Sequence, residues 1–386
     1  MKILILPGDG IGPEIMAATG AALEALNDTH GLKLAFEERV IGLASLETEG
    51  STLPDAVIEA IEAADGTVVG PVHTVAYPPA SEGGVNPSAT MRKRFDLYAN
   101  IRPSRARPGV PAMTPKMDLV IARENTEGFY ADRNMFQGTA EFMPTEGVAL
   151  SVRKITVQGS RRIAESAFDL AGRRRNKVTV AHKATVLKVS DGLFRDTVRE
   201  VAKSHSEVEL DEVLIDAMAA LLVRTPEAFD VVLTTNMFGD ILSDEAAELS
   251  GGLGLGGSLN AGDDHAIAQA THGSAPDIAG QGIANPTALM VSVAMLLEWL
   301  GAGHGRDDLS AAAAAFNTAV DAVLADPANH TPDLGGSAKT ADIGRAVADA
   351  ISKYRFYCPR LDLGYRPKPA EEAAAAPKVP MVCQNL

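Results

Sequence analysis

The feature that most constrains this chain of 386 residues is a recurring unit: a short apolar run, a polar or glycine-rich cluster, then an amphipathic stretch. Alternation of this kind predicts an α/β fold, because strand-length apolar runs need helices to cover them. Residues 2–6 read as a buried strand, followed by a glycine-rich turn and a helix over residues 13–26, with Pro13 in its first turn. Residues 67–70, 118–122, 178–181, 213–215 and 231–235 are further strand-length runs. Residues 286–301 and 307–325 read as helices. Ligands in such folds lie beyond the carboxyl ends of strands, so function is sought in the clusters that follow the runs.

The length suits two lobes or one large α/β unit. A formal net charge of −15 argues against nucleic acid as a partner. The basic run Arg173-Arg174-Arg175 falls between a helical stretch and a strand and reads as a solvated turn. An acidic protein that takes an acidic substrate must gather its arginines in one cleft. The two cysteines, Cys358 and Cys383, exclude a disulfide framework and point to a reducing, cytoplasmic setting. The first apolar run is only strand-length, so no signal peptide is expected, and no run of about 18 apolar residues predicts a membrane span. The tail over residues 358–386 lacks periodicity and is expected to be flexible or draped over the surface.

Five clusters carry chemistry. Gly8-Asp9-Gly10-Ile11-Gly12 is glycine-rich but has the wrong spacing for a dinucleotide fingerprint, and tight packing is its simpler reading. Arg92 and Arg102 flank Phe95 to Tyr98, and Arg123 opens Arg123-Glu124-Asn125-Thr126-Glu127-Gly128. Arginine forks clamp carboxylates in bidentate fashion; the blander alternative is a basic helix face followed by a strand. Lys183 follows a buried strand and reads either as a snorkelling side chain or as a base tuned by burial. Asp240 and Asp244 are spaced i, i+4, and share a helix face. Two such carboxylates are either solvated or held by a cation, and oxygen-only ligands suit Mg²⁺ or Mn²⁺; Asp216 is a candidate third ligand. The last cluster runs from His272 through Gly273, Ser274 and Ala275 to Asp277, Ile278 and Asn285. Its small residues admit a ligand, and Asp277 suits ribose hydroxyls, favouring NAD over NADP.

In this order the clusters resemble the isocitrate and isopropylmalate dehydrogenase family, over about residues 1–355. The matching elements are Gly8 to Gly12, Leu97 to Pro103, Arg123 to Gly128, His182-Lys183, Gly239 to Asp244, residues 272–286 and Thr331-Pro332-Asp333-Leu334-Gly335-Gly336. The pattern looks closest to the NAD-linked isocitrate and homoisocitrate branch. The resemblance implies two lobes sharing one twisted sheet, without a standard Rossmann unit. It places a large cofactor-binding lobe at residues 1–103 and 254–357 and a small lobe at 104–253. It also implies a homodimer whose clefts borrow residues from the partner. By position, Arg92, Arg102 and Arg123 would hold substrate carboxylates, with Asn86 and Ser88 meeting the C3 substituent. Tyr130 would be the acid and Lys183 the base. Asp216, Asp240 and Asp244 would hold Mg²⁺ or Mn²⁺, Lys183 and Asp216 coming from the other subunit. Thr74, His272 to Asp277, Ile278 and Asn285 would cradle NAD.

The reaction so implied is oxidation and decarboxylation of a 3-substituted malate. Thr185, Ala217 and Gln269 depart from the family pattern, which commonly has asparagine, asparagine and glutamate there. Residues 83–91 lack the leucine pair of isopropylmalate enzymes and the extra arginine expected of a homoisocitrate enzyme. A malate with a polar C3 group, isocitrate- or homoisocitrate-like, is therefore preferred, with 3-isopropylmalate, tartrate or D-malate as alternatives. A catalytically silent regulatory subunit would lack Tyr130, Lys183 or an aspartate, and none is lost.

Overall fold

A computed structural model describes residues 1–130 and 135–353. The tail expected to be flexible, with Cys358 and Cys383, lies outside the described residues.

The chain opens with β1 (Lys2–Leu6), α1 (Gly12–His30), β2 (Ala35–Glu38), α2 (Leu43–Glu49), α3 (Asp55–Glu62) and β3 (Gly66–Val69). Then come α4 (Pro87–Arg94), β4 (Ala99–Arg105), β5 (Asp118–Glu124) and a hairpin of β6 (Glu141–Thr145) and β7 (Val148–Ser151). Next follow α5 (Val157–Gly172), β8 (Lys177–His182), α6 (Ser190–Ala202), β9 (Glu209–Leu214) and α7 (Ile215–Arg224). The last elements are β10 (Val231–Thr234), α8 (Asn236–Ser250), β11 (Leu259–Ala261), β12 (Ala266–Gln269), α9 (Thr287–His304), α10 (Asp307–Leu324) and α11 (Thr340–Lys353).

Among the described residues one sheet carries ten strands in the order β2-β1-β3-β12-β11-β4-β5-β10-β8-β9. Two blocks are parallel within themselves: β2, β1, β3 and β12, and β5, β10, β8 and β9. Between them, β12–β11, β11–β4 and β4–β5 are all antiparallel. Three reversals leave the blocks running in opposite directions, which no standard dinucleotide-binding unit does. The mixed α/β fold with one large shared sheet is the one expected.

One core crosses the sheet. Residues of β1, α1 and α9 (Ile3, Ile15, Leu289) join residues of β5, α5 and β8 (Val120, Phe168, Val178) in the same buried apolar cluster. α9 is buried over nearly its whole length, as its unbroken apolar sequence requires.

The short antiparallel strands β11 and β12 and the edge strand β2 had no clear run of their own. One local expectation changes. The Arg173 to Arg175 segment is a turn, but not a solvated one: Arg174 bonds Asp230 at 2.7 Å and Asp118 at 2.9 Å, and is largely buried. Arg102 lies in the middle of β4, and its partners Asp240, Ser243 and Asp244 are on α8.

Candidate active site

The glycine-rich turn after β1 is a packing device. A Cβ on Gly10, whose φ is +60°, would meet Ser274 O at 2.0 Å, and Ile11 N donates to that same oxygen at 2.9 Å. Asp9 organises the turn: its carboxylate accepts from Leu43 N at 2.7 Å and His73 N at 2.8 Å, and from the Tyr77 hydroxyl. Burial, then the bond to Asp9, pushes the Tyr77 phenol far above its usual range. His73 Nδ1 lies 2.9 Å from Ser274 Oγ. The loop after β3, with exposed Thr74, therefore meets the loop after β12, which carries His272 to Ile278.

Within that second loop Ala275 holds a φ of +37°, unusual for a residue with a Cβ, and a Cβ on Gly273 would meet open space. His272 Nδ1 lies 3.0 Å from Gly273 O, while its Nε2 is buried and has no hydrogen-bond partner among the described residues. Burial holds the His272 imidazole below its ordinary range, against the Gly273 carbonyl and Asp333. Asn285 Nδ2 donates to Asp333 Oδ2 at 3.0 Å, so the Thr331 to Gly336 motif braces this loop from behind. Asp277 is exposed and Ile278 half-buried.

The arginines gather on α8. Arg102 Nη1 contacts Ser243 Oγ at 2.7 Å, Asp240 Oδ1 at 3.2 Å and Asp244 Oδ1 at 3.4 Å, while its Nε donates to Asn100 Oδ1 at 2.6 Å. Arg123 donates to Asp240, and its Nε and Nη2 grip Asn236 Oδ1 at 3.0 and 2.7 Å. Gly239 faces Arg123 with no room for a side chain: a Cβ there would lie 2.6 Å from Arg123 Cγ. Arg92, in the last turn of α4, acts on Asp240 from a third direction. Burial raises the Asp240 carboxyl, but Arg123, Arg102 and Arg92 outweigh it and hold it below the ordinary range. Asp244 goes the other way, raised by burial with Arg102 opposing. Both carboxylates converge on one guanidinium nitrogen, so a single positive charge already sits between them. The oxygen donors and the cation position fit Mg²⁺ or Mn²⁺.

Tyr130 donates from its hydroxyl to Asp240 Oδ2 at 3.2 Å, and the Arg123 guanidinium carbon lies 5.9 Å from its ring centroid. The loop carrying it is tied down by Glu124, which accepts from Thr126 N, Thr126 Oγ1 and Glu127 N at 2.8, 2.7 and 2.7 Å. Gly128, with a φ of +76°, turns the chain toward Phe129 and Tyr130.

Lys183 and Asp216 stand apart from that group. Lys183 follows β8, Asp216 is in the first turn of α7, and Nζ bonds Oδ1 at 2.5 Å. That bond holds the Asp216 carboxyl below its ordinary range. Burial is not what defines Lys183 within one chain, since its side chain is 27% exposed. Among the described residues no three acidic, histidine or cysteine side chains of one chain form a metal cage, so Asp216 does not join Asp240 and Asp244 within one chain. Asn86 is exposed and caps α4, its Oδ1 accepting from Ala89 N at 3.1 Å. Ser88, half-buried, faces Gln269.

Several supporting residues had no assigned role in the sequence. Asn100, Ser243 and Asp333 sit inside the quoted motifs and Asn236 just before one, but only the fold shows what they hold. Asp191 carried no signal: it is buried at the start of α6, accepts from Lys183 N at 2.5 Å, and pairs with Arg153.

The family model for isocitrate/isopropylmalate dehydrogenase matches residues 2–347. The chain belongs to the isocitrate/isopropylmalate dehydrogenase family. It is therefore a dehydrogenase, as the clusters implied. A Thermus thermophilus protein named isocitrate/homoisocitrate dehydrogenase is 43% identical over 355 residues, 91% of this chain and 98% of that protein. A 3-isopropylmalate dehydrogenase of Methanothermobacter thermautotrophicus is 42% identical over 349 residues, 90% of this chain and 98% of that one. Among solved structures, an isocitrate dehydrogenase from Methylococcus capsulatus superposes with a TM-score of 0.80 at 40% identity, covering 91% of this chain and 99% of that one. The names span several substituted malates, so membership in this dehydrogenase family fixes the reaction type more closely than the substrate. No helix among the described residues is long and apolar enough to cross a membrane.

Proposed function

We propose that this family member oxidises and decarboxylates a malate bearing a polar C3 substituent, of the isocitrate kind, with NAD as hydride acceptor and Mg²⁺ or Mn²⁺. The observation that carries the reading is the convergence of Asp240 and Asp244 on Arg102, with Arg123 and the Tyr130 hydroxyl on the same carboxylate of Asp240. Arg92, Arg102 and Arg123 offer the positive charge a di- or tricarboxylate needs within an acidic protein. Asp240 and Asp244, with Asp216 from a second copy, would hold the divalent cation, which would supply Lewis-acid polarisation of the substrate, and the bound nicotinamide would supply the hydride acceptor. His272, Gly273, Ser274, Ala275, Asp277, Ile278, Asn285 and Thr74 would seat the dinucleotide. The buried, unpaired Nε2 of His272 supports that assignment.

The chain's own groups move the protons. Lys183, as the assigned base, takes the proton of the substrate hydroxyl as hydride leaves the same carbon. Loss of carbon dioxide then leaves an electron pair on the neighbouring carbon, conjugated with the new carbonyl. Tyr130 supplies the proton that quenches it, with Arg123 beside its ring favouring the phenolate that remains.

Because Lys183 and Asp216 lie together but apart from Asp240, the reading requires a homodimer that exchanges them between clefts. Exposed apolar side chains support one: Phe142, Met143, Val148 and Leu150 on the β6–β7 hairpin, and Val186, Val189 and Ile241 nearby in sequence to the site residues. The division into lobes at residues 1–103 with 254–357, and 104–253, belongs to the same reading. So does a cytoplasmic setting, in keeping with two cysteines in the chain.

The test is NAD reduction with Mn²⁺ across isocitrate, homoisocitrate, 3-isopropylmalate, tartrate and D-malate, with carbon dioxide measured in parallel. Equimolar NADH and carbon dioxide from isocitrate, abolished by EDTA, is expected. Turnover without carbon dioxide, or turnover indifferent to EDTA, overturns the reading.

A further inference from the structure

Arg153 follows β7, next to the bridge in which Gly128 and Lys154 exchange backbone hydrogen bonds at 2.8 and 3.0 Å. Its side chain is 8% exposed. Nη1 donates to Asp191, which is wholly buried, and to Ser190 Oγ at 3.2 Å. Nη2 donates to Thr235 Oγ1 at 3.0 Å, at the residue that caps α8. The guanidinium carbon lies 5.2 Å from the ring centroid of Phe238, in the first turn of α8, and 5.9 Å from that of Phe129, beside Tyr130. Asp191 has a second partner: its Oδ2 accepts from the backbone N of Lys183 at 2.5 Å. One buried ion pair therefore reaches three assigned groups through their nearest neighbours. Lys183 is held by its own amide, Tyr130 by Phe129 and the Gly128–Lys154 bridge, and Asp240 by the first turn of its helix.

Stability alone does not account for such a pair. Taking two charges out of water is costly, and well-packed apolar replacements of buried ion pairs are often as stable or more so. What the pair supplies is direction. A planar guanidinium can face a carboxylate and a hydroxyl at once, and a carboxylate can hold a guanidinium with one oxygen and a backbone amide with the other. An apolar pair does neither. Groups that move protons lose rate steeply when they are displaced by even about 1 Å, so their supports need such direction.

We propose that Arg153 and Asp191 are positioning residues: their buried pair locks the segment carrying Lys183 to the loop carrying Tyr130 and to the start of α8. The proposal rests on the reading of Lys183, Tyr130 and Asp240 given above, in which Lys183 serves the neighbouring cleft. On that reading each pair sits on the seam between two clefts. Its Tyr130 and α8 side supports its own cleft, and its Lys183 side supports the neighbour's. Loosening one pair then impairs both clefts of a dimer.

R153M and D191N each strand a buried charge and can fail to fold, so the experiment uses the R153M/D191N double variant, which removes both charges and keeps an acceptor for the Lys183 amide. Its kcat for isocitrate is expected to fall at least about tenfold with KM within about threefold. The solvent deuterium isotope effect on kcat is expected to rise, because proton transfer becomes the slow step. R153K keeps the charge but not the planar fork; its kcat is expected to fall at least about threefold, and it carries the same comparison if the double variant does not fold. Equal amounts of wild type and double variant, after subunit exchange, are expected to show about a third of wild-type activity, because each hybrid dimer has two impaired clefts. About a half, the value for damage confined to one cleft, overturns the proposal. So does wild-type kcat in a folded double variant or in R153K. Failure of the site reading looks different: wild type is then inert on every malate, or mixed K183A and D240N dimers recover no activity.

Discussion

Lys183 donates to Asp216 across 2.5 Å, yet Asp216 belongs to no three-residue acidic cage among the described residues of its own chain. The proposed base and one proposed metal ligand thus travel as a pair, and a symmetric dimer can lend the pair to the neighbouring cleft. Mixing separately inactive K183A and D240N dimers, after subunit exchange, is expected to restore about a quarter of wild-type activity. Half of the random dimers are hybrids, and each hybrid rebuilds one intact cleft of two. Activity that stays at the level of the unmixed variants means that each cleft uses its own Lys183.

The two aspartates of α8 are pushed in opposite directions, Asp240 down by arginines and Asp244 up by burial. A proton on Asp244 competes with the cation, so Mn²⁺ binding is expected to weaken as pH falls, starting above the usual aspartate value of 3.8. Calorimetry between pH 8 and pH 5 checks this. D244N is expected to bind Mn²⁺ at least about tenfold more weakly and with a flatter pH dependence.

His272 offers a second pH dependence, in stability. Its imidazole titrates near 6.5 in an unfolded chain and lower in the fold, chiefly because it is buried. The unfolded chain then binds more protons than the folded one in the window between the two values. The contribution to stability is complete above 6.5 and is lost as pH falls through the lower, folded value. In thermal melts from pH 8 to pH 5, H272Q is expected to lose less Tm than wild type does. Equal losses refute the assignment.

Gly10 cannot bear a side chain without moving Ser274, which belongs to the proposed cofactor loop. G10A combines a positive-φ penalty of about 1 kcal/mol with a contact to the Ser274 carbonyl. The KM for NAD is expected to rise at least about tenfold, while the KM for the malate moves less than about threefold, because the displaced group lies on the cofactor side. Steady-state kinetics with each substrate varied in turn measures both.

Glu124 ties down the loop that delivers Tyr130 through three hydrogen bonds. E124A leaves those donors buried without an acceptor and is expected to cost about 2–4 kcal/mol in urea unfolding. Its kcat is expected to fall more than its KM rises, since Tyr130 is assigned to proton delivery and not to substrate capture.

Much of the local plan was legible in the residues. β1 and β10 were visible as apolar runs, and α9 and α10 as helices, because burial on both faces or on one stripe writes itself into the sequence as period and run length. The i, i+4 spacing of Asp240 and Asp244 was equally readable, although it left open whether the pair is solvated or held by a cation. β11 and β12 were not, since strands this short carry too few residues for a period, and their pairing partners lie more than a hundred residues away for β4 and β3.

The sequence by itself determined which groups are available: three arginines, three aspartates, a tyrosine, a lysine, and a glutamine where a carboxylate is usual. Local chemistry and spacing suffice for that, because helix periodicity and strand alternation act over a few residues. Tertiary structure alone decided what each group faces. The reversal of the two parallel blocks brings β4 against β5 and lays α8 over both arginines, and the joining of β3 to β12 carries Gln269 to Ser88. Such encounters depend on pairings between segments remote in the chain, whose register is fixed by burying one shared core and not by any property of the segments themselves.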